Sequence, residues 1–209
     1  MTHEFDKDYW DRHWNDDSAA AAAHDGGSDP HPYLAREVAD LAPSTALDAG
    51  AGTGAEALWL AARGWDVTAV DLSAHALARA RERAATRTTP GAVRWVNADL
   101  TVWEPSQRFG LVATSYAHPA MPQPAFYRRI AAWVAPDGTL LIVGHLRHPD
   151  PEPHRHPAEA SATLADITEG LDPEEWRIET AEEPMRAVDR PDGRAVFLRD
   201  VVVRATRLT

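Results

Sequence analysis

Two hydrophobic rhythms alternate along most of the chain. Short, dense apolar runs at residues 46–49, 67–70, 93–96, 109–115 and 139–143 have the length of strands buried on both faces. Between them, residues 33–41, 55–63, 74–86 and 124–134 place apolar side chains at the interval of a helix with one face on a core. The punctuation agrees with this reading. Gly64 follows the second helical stretch where a left-handed residue stops a helix, Ser73 stands where an N-cap is needed, and Pro136-Asp137-Gly138 turns the chain into the fifth strand. This βαβα alternation predicts a parallel sheet with right-handed crossovers. Toward the carboxyl end, residues 163–170 read as a helix ended by glycine. Residues 176–180 and 195–205 read as two last strands around Pro191-Asp192-Gly193, and residues 185–190 border the pocket without an assignable role.

Ahead of the alternation, Phe5, Tyr9, Trp10, His13 and Trp14 recur at helical spacing, and residues 19–23 extend the helical pattern. Gly26, Gly27, Asp29, Pro30 and Pro32 then break it. An aromatic stripe of this kind either docks on the core or closes as a lid over a ligand, with the break as its hinge.

Candidate chemistry lies at the strand ends. The first strand runs into Leu47-Asp48-Ala49-Gly50-Ala51-Gly52-Thr53-Gly54, a glycine-rich loop between strand and helix, which is where open α/β sheets collect ligands. The glycine spacing alone is ambiguous, because Gly50, Gly52 and Ala55 also satisfy the dinucleotide pattern G-x-G-x-x-G/A. Asp48 favours a cationic ligand, since a pyrophosphate beside it would meet like charge and an ammonium or sulfonium opposite charge. The second strand ends in Asp71, at roughly the 20-residue spacing of a ribose-binding acid. The third ends in Asn97-Ala98-Asp99, which puts another acid where an adenine amino group donates.

The segments Leu47 through Gly54, Val70-Asp71-Leu72-Ser73 and Ala98-Asp99-Leu100 resemble the class I S-adenosylmethionine-dependent methyltransferases. Within that family, Tyr9-Trp10-Asp11-Arg12-His13-Trp14 and the small size resemble the thiopurine and tellurite-resistance branch, whose substrates are small molecules. The resemblance implies a doubly wound, Rossmann-like, mostly parallel seven-stranded sheet with helices on both faces and the last strand antiparallel. It implies S-adenosylmethionine as cofactor, held by Asp48, Ala49, Gly50, Ala51, Gly52 and Gly54, by Asp71, Leu72 and Ser73, by Ala98, Asp99 and Leu100, and by Ser115. Trp10 and Trp14 would lie against it, their electron-rich faces favouring the sulfonium charge. Two departures from the family stand out. Gly110 replaces the usual Asp at the start of the fourth strand and weakens that start, and the N/D-P-P-Y/F signature is absent, which argues against nucleobase amines as acceptors.

The catalytic candidates are Tyr116 and His118, which follow the fourth strand, and His145, which follows the fifth. His118 leads as a general base or hydrogen-bond partner, because an imidazole with a pKa near ~6.5 takes a proton near neutrality. Pro119 also holds its backbone out of the helical region, and the alternative role is a wall of the loop. Residues 144–160 add His148, His154 and His156 beside Asp150 and Glu152 among prolines. Imidazole and carboxylate can hold zinc or nickel, but this spacing fits no closed site, so a solvated loop over the substrate mouth and no metal are expected.

Composition acts mainly by exclusion. A chain of 209 residues suits one α/β domain over residues 1–209, with residues 1–28 as its amino-terminal lid. A net charge of -11 and a pI near 5.3 oppose nucleic acid. Without cysteine there is no disulfide, thiolate zinc site or cysteine nucleophile. No secretory pattern or membrane-length apolar run occurs, so a soluble cytoplasmic protein, monomer or weak homodimer, is expected to act on a small molecule away from membranes. Two other readings stay open. An NAD-dependent oxidoreductase is supported by Gly50, Gly52, Ala55 and Asp71 but opposed by Asp48, Asp99 and the lack of a substrate domain. The other is a non-catalytic nucleotide- or metal-binding protein of the same fold.

Overall fold

The computed structural model describes residues 10–11, 29–146, 161–189 and 195–209. Its strands are β1 (Thr45–Ala49), β2 (Asp66–Asp71), β3 (Val93–Asn97), β4 (Phe109–Ser115), β5 (Val134–His145), β6 (Trp176–Glu182), β7 (Met185–Asp189) and β8 (Ala195–Arg207). The helices beside them are α1 (Pro32–Glu37), α2 (Ala55–Ala61), α3 (Ala74–Ala85), α4 (Gln123–Ala131) and α5 (Leu164–Thr168). Strands follow the order β3-β2-β1-β4-β5-β8-β6, with β7 also on β8. The first five are mutually parallel, and β8 runs against β5, β6 and β7.

The apolar runs are continuous because both faces of the sheet are covered. Leu47, Val112, Leu140, Ile142, Val201 and Val203 pack on one side with Phe126 and Ile130 of α4 and Ile167 of α5. Their strand neighbours Ala46, Leu111, Leu141, Val143 and Val202 pack on the other side with Leu34 of α1 and Ala57 and Leu60 of α2. Each such aliphatic side chain, fully buried, contributes about 1.5–3 kcal/mol.

The sheet carries the expected seven strands in its main order and one more, β7, beside β8. The cause is the length of β8: only Asp200–Thr206 pairs with β5, and the preceding residues project past the carboxyl end of β5. There they pair with β7, Met185 opposite Arg199 through Asp189 opposite Ala195, while β6 takes the rest of the β8 edge. The β7–β8 hairpin therefore stands over the carboxyl edge of the sheet. Residues 185–190, which had no role from sequence, include one strand of that hairpin.

Element ends differ in smaller ways. α1 stops at Glu37, short of the expected residue 41, and Leu41 N–H turns back to the Val38 carbonyl. Pro136-Asp137-Gly138 lies inside β5, where the register against β4 shifts between Phe109 and Leu111 and Asp137 takes a φ of 58°. Gly110 sits in that shift. Its amide donates to Thr45 Oγ1 at 3.2 Å, and a Cβ there would lie 2.3 Å from Ser44 Oγ, so the glycine lets β4 approach β1 rather than merely weakening the strand. Among the described residues no helix is long and apolar enough to cross a membrane.

Candidate active site

Strand β1 delivers Asp48 and the glycine loop to the carboxyl edge. Gly50, Gly52 and Gly54 all have positive φ, at 90°, 50° and 81°, a region side chains rarely adopt. Two of them are also closed to substitution by contact: a Cβ on Gly50 would lie 2.4 Å from Ala117 Cβ, and one on Gly54 2.5 Å from the Trp95 ring. The amides of Gly50 and Ala51 donate to the Val70 carbonyl at 2.9 and 3.0 Å, so the end of β2 holds the arc in shape.

Asp48 is buried, 2 % exposed, and its carboxylate accepts from the Ala57 amide of α2. Its Oδ2 has no hydrogen-bond partner. Burial, then the charges of Glu56 and Asp71, push its pKa well above the usual carboxylate range. Burial also raises Glu56, whose Oε1 accepts from the His31 amide at 3.1 Å. A buried acid pair with an unsatisfied oxygen beside a glycine arc is complementary to an ammonium group. The loop thus fits a ligand carrying one.

At the end of β2, Asp71 accepts from the Gly52 amide through Oδ2 and from the Ser73 amide through Oδ1, both at 2.8 Å. Burial raises its pKa, the two amides work the other way, and Asp11 adds to the rise. Asn97 at the end of β3 donates to the carbonyls of Asp71 and Leu72, and the Ala98 amide to that of Asp71. Asp99 follows, its Oδ1 accepting from the Thr101 amide at 2.8 Å, and the buried Leu100 gives its carbonyl to Arg129 Nε. Three acids therefore line three adjacent strand ends, in the order β3-β2-β1. Ala49 and Ala51 are buried in the loop, and half-buried Ser115 closes β4 opposite Val143.

Two residues of the amino-terminal stripe are described. Trp10 Nε1 donates to the His118 carbonyl at 3.2 Å, and Asp11 Oδ1 accepts from Ser73 Oγ at 3.1 Å. Trp10-Asp11 therefore links the segment after β4 to the segment after β2, the strands on either side of β1 and its glycine loop. Trp14 and the rest of residues 1–28 lie outside the described residues, as do His148, Asp150, Glu152, His154 and His156. Among the described residues no histidine and carboxylate group converges on a metal site.

Tyr116, His118 and His145 do come together. Their rings form a column with two others: Trp10 to His118 at 6.5 Å, His118 to His145 at 5.7 Å, His145 to Tyr116 at 4.4 Å and Tyr116 to His31 at 5.2 Å. Tyr116 has a φ of 53°, held by its amide on the Val143 carbonyl at 2.9 Å, and Gln123 Nε2 fixes the next carbonyl, that of Ala117. A non-glycine residue in that region costs free energy and is typical of sites where side-chain direction matters.

Sequence reasoning missed three members of this cluster, His31, Arg186 and Asp200. His31 caps α1: its Nδ1 accepts from the Tyr33 amide, so its proton sits on Nε2, 3.2 Å from Tyr116 Oη. Burial, aided by Arg186, pushes its pKa down to about 4, so it stays neutral. Arg186 on β7 donates Nε to Asp200 Oδ2 at 2.6 Å and Nη2 to Tyr116 Oη at 3.4 Å. Burial, with Asp200 next, raises the Tyr116 pKa far enough to keep the phenol protonated. Signals existed in the sequence: Pro30-His31-Pro32 is a capping context, and Arg199-Asp200 interrupts an otherwise apolar strand.

The sheet order, with a glycine arc at the end of β1 and acids at three adjacent strand ends, is that of the class I methyltransferase fold. Residues 46–138 match the methyltransferase domain family. No curated protein matches the sequence significantly. Among solved structures, TehB from Haemophilus influenzae is similar at 17% identity with a TM-score of 0.72, over 97% of this chain and 67% of that one. A structure concerned with conversion of a disulfide bond into a thioacetal group during echinomycin biosynthesis is similar at 24% identity and TM-score 0.70, over 97% and 92%. The magnesium protoporphyrin IX methyltransferase of Synechocystis PCC 6803 with bound S-adenosylmethionine is similar at 19% identity and TM-score 0.65, over 96% and 90%. These likenesses give the chain the fold of the S-adenosylmethionine-dependent methyltransferases, with residues 46–138 as its methyltransferase-like part.

Proposed function

We propose that this chain is an S-adenosylmethionine-dependent methyltransferase and that it acts on a small-molecule acceptor held against the ring column. The observation that carries the proposal is that the column abuts the cofactor loop: Ala117, between Tyr116 and His118, is the residue that a Cβ on Gly50 would strike. When bound, the cofactor supplies a methyl group made electrophilic by its sulfonium charge. Asp48 would hold its ammonium group, Asp71 its ribose hydroxyls and Asp99 its adenine amine. Trp10 would close over the sulfonium. Tyr116, His118 and His145 form the acceptor wall, and alignment with water excluded supplies most of the rate.

The net charge of -11 favours small acceptors over nucleic acid. The similar structures fit this reading, since the named chemistry of two of them concerns a porphyrin and the disulfide of a natural product. The test is methyl transfer from labelled cofactor to thiols, amines, phenols, carboxylates and chalcogen oxyanions, with nucleic acid and protein as controls. Turnover confined to the macromolecular controls would overturn it.

A further inference from the structure

Strand register places Asp200 of β8 directly opposite His145 of β5, so their side chains share a face of the sheet. Asp200 is fully buried. One of its oxygens is engaged by Arg186 Nε at 2.6 Å. The other, Oδ1, has no donor within hydrogen-bond distance; His145 Nδ1, 3.9 Å away, and the Tyr116 phenol are the groups near it. A buried carboxylate oxygen left without a donor is costly, and apo enzymes often hold catalytic hydrogen bonds long until the substrate closes the site. Both backbones are fixed by the β5–β8 ladder, so an approach of the imidazole by about an ångström, to the ~2.9 Å of a normal bond, completes the contact.

We propose that Asp200 is a positioning residue that holds His145 as general base, and that the acceptor is therefore one whose nucleophilic atom carries a dissociable proton. This rests on the reading above that the acceptor lies against the ring column. With Nδ1–H given to Asp200, the lone pair of His145 is left on Nε2. The other groups of the column do not suit the task. His31 has Nδ1 engaged by Tyr33 and its proton turned to Tyr116, and Tyr116 is kept protonated. His118 is 6 % exposed, its ring between Trp10 and His145. Among the described residues, Asp200 of β8 and the rings of Tyr116 and His118 after β4 face His145, and Arg186 of β7 pairs with Asp200. Arg186 offsets part of the carboxylate charge.

In the reaction the acceptor heteroatom bonds to the methyl carbon while the carbon–sulfur bond breaks, its electron pair going to sulfur. The acceptor proton passes to His145 Nε2, and Asp200 holds the imidazolium until it releases the proton to water. Phenols, protonated thiols and amines fall in this class. Carboxylates and oxyanions, already ionised, need no such base.

The first test requires no substrate and no variant: nitrogen NMR of the full chain labelled with ¹⁵N-histidine, above the His145 titration. An Nδ1–H tautomer is expected, and an Nε2–H tautomer overturns the proposal. Asp200→Asn should abolish that preference. Should the neutral amide beside an uncompensated Arg186 prevent folding, Asp200→Asn with Arg186→Met removes both charges together. With a protic acceptor from the panel, loss of Asp200 should lower kcat about 10²-fold or more with KM little changed and move the acid limb of the pH profile. A uniform loss with a carboxylate acceptor, or an unmoved acid limb, overturns the proposal. Calorimetric binding of S-adenosylmethionine should be intact in each variant. A protein that binds cofactor, shows the Nδ1–H tautomer and methylates only macromolecules would sink the small-molecule reading while leaving the dyad.

Discussion

Asp48→Asn should make the free protein more stable and a poorer binder of its cofactor. The substitution keeps the shape of the side chain and removes its charge from a position 2 % exposed. In the free protein the pKa of Asp48 is raised by burial, then by Glu56 and Asp71. For a carboxyl whose folded pKa lies above its unfolded value, the stabilising contribution is fully present below the unfolded pKa and is lost as pH rises through the folded one. Ionised Asp48 is therefore a cost at neutral pH, and asparagine relieves it. Each kcal/mol relieved raises Tm by about 2–4 °C in a chain of this size.

The same charge is what an ammonium needs. A hydrogen bond to a charged group contributes about 1.5–3 kcal/mol, so its loss should weaken S-adenosylmethionine roughly 10- to 150-fold. Scanning calorimetry between mild acid and neutral pH reads the first effect, with the gain shrinking as pH falls, and titration calorimetry reads the second. A variant that is less stable than wild type at neutral pH and binds cofactor undiminished would refute the reasoning. Opposite signs on stability and affinity are the expected signature of a buried charge kept for binding.

Further outcomes follow from the same geometry. Asp71→Ala removes the acceptor of the Gly52 and Ser73 amides as well as the ribose contact, and should lower cofactor affinity at least about 10-fold by calorimetry. Gly50→Ala meets both a φ of 90° and a contact of 2.4 Å, and should cost about 1–3 kcal/mol in a denaturant titration. Trp10→Ala should weaken cofactor binding about 2- to 30-fold through the lost ring face. Hydrogen exchange around residues 10–11 and 116–118 should slow on cofactor binding in wild type, and deletion of residues 1–28 without effect on affinity or turnover would reduce the stripe to packing.

Legibility from sequence tracks how local each feature is. Gly50, Gly52 and Gly54 could be read because the strand, the turn and the helix start that require them are contiguous, and the positive φ at all three follows from that one turn. Asp71 and Asp99 could be read because strand ends in a parallel sheet fall at one edge. The direction of Asp48 could not, since its burial depends on α2 and on Glu56. The eighth strand was missed for a similar reason. Residues 185–189 read as a strand only once β8 is known to outrun β5.

The acceptor half is assembled on the opposite principle. His31 comes from a helix cap, Tyr116 and His118 from the segment after β4, His145 from β5, and Arg186 and Asp200 from a hairpin near the carboxyl end. No spacing rule links them, and only the antiparallel register of β8 sets Asp200 against His145. Their interaction is nonetheless coupled to the cofactor loop through His31, which gives its amide to Glu56 beside Asp48 and faces Tyr116 Oη through Nε2. Moving Arg186 or Asp200 can therefore alter what the wall accepts without touching a glycine of the loop. Moving His31 disturbs both halves at once. A fold that gathers its cofactor contacts at the ends of its first strands and draws part of its acceptor wall from a distant hairpin can change substrate by varying that hairpin.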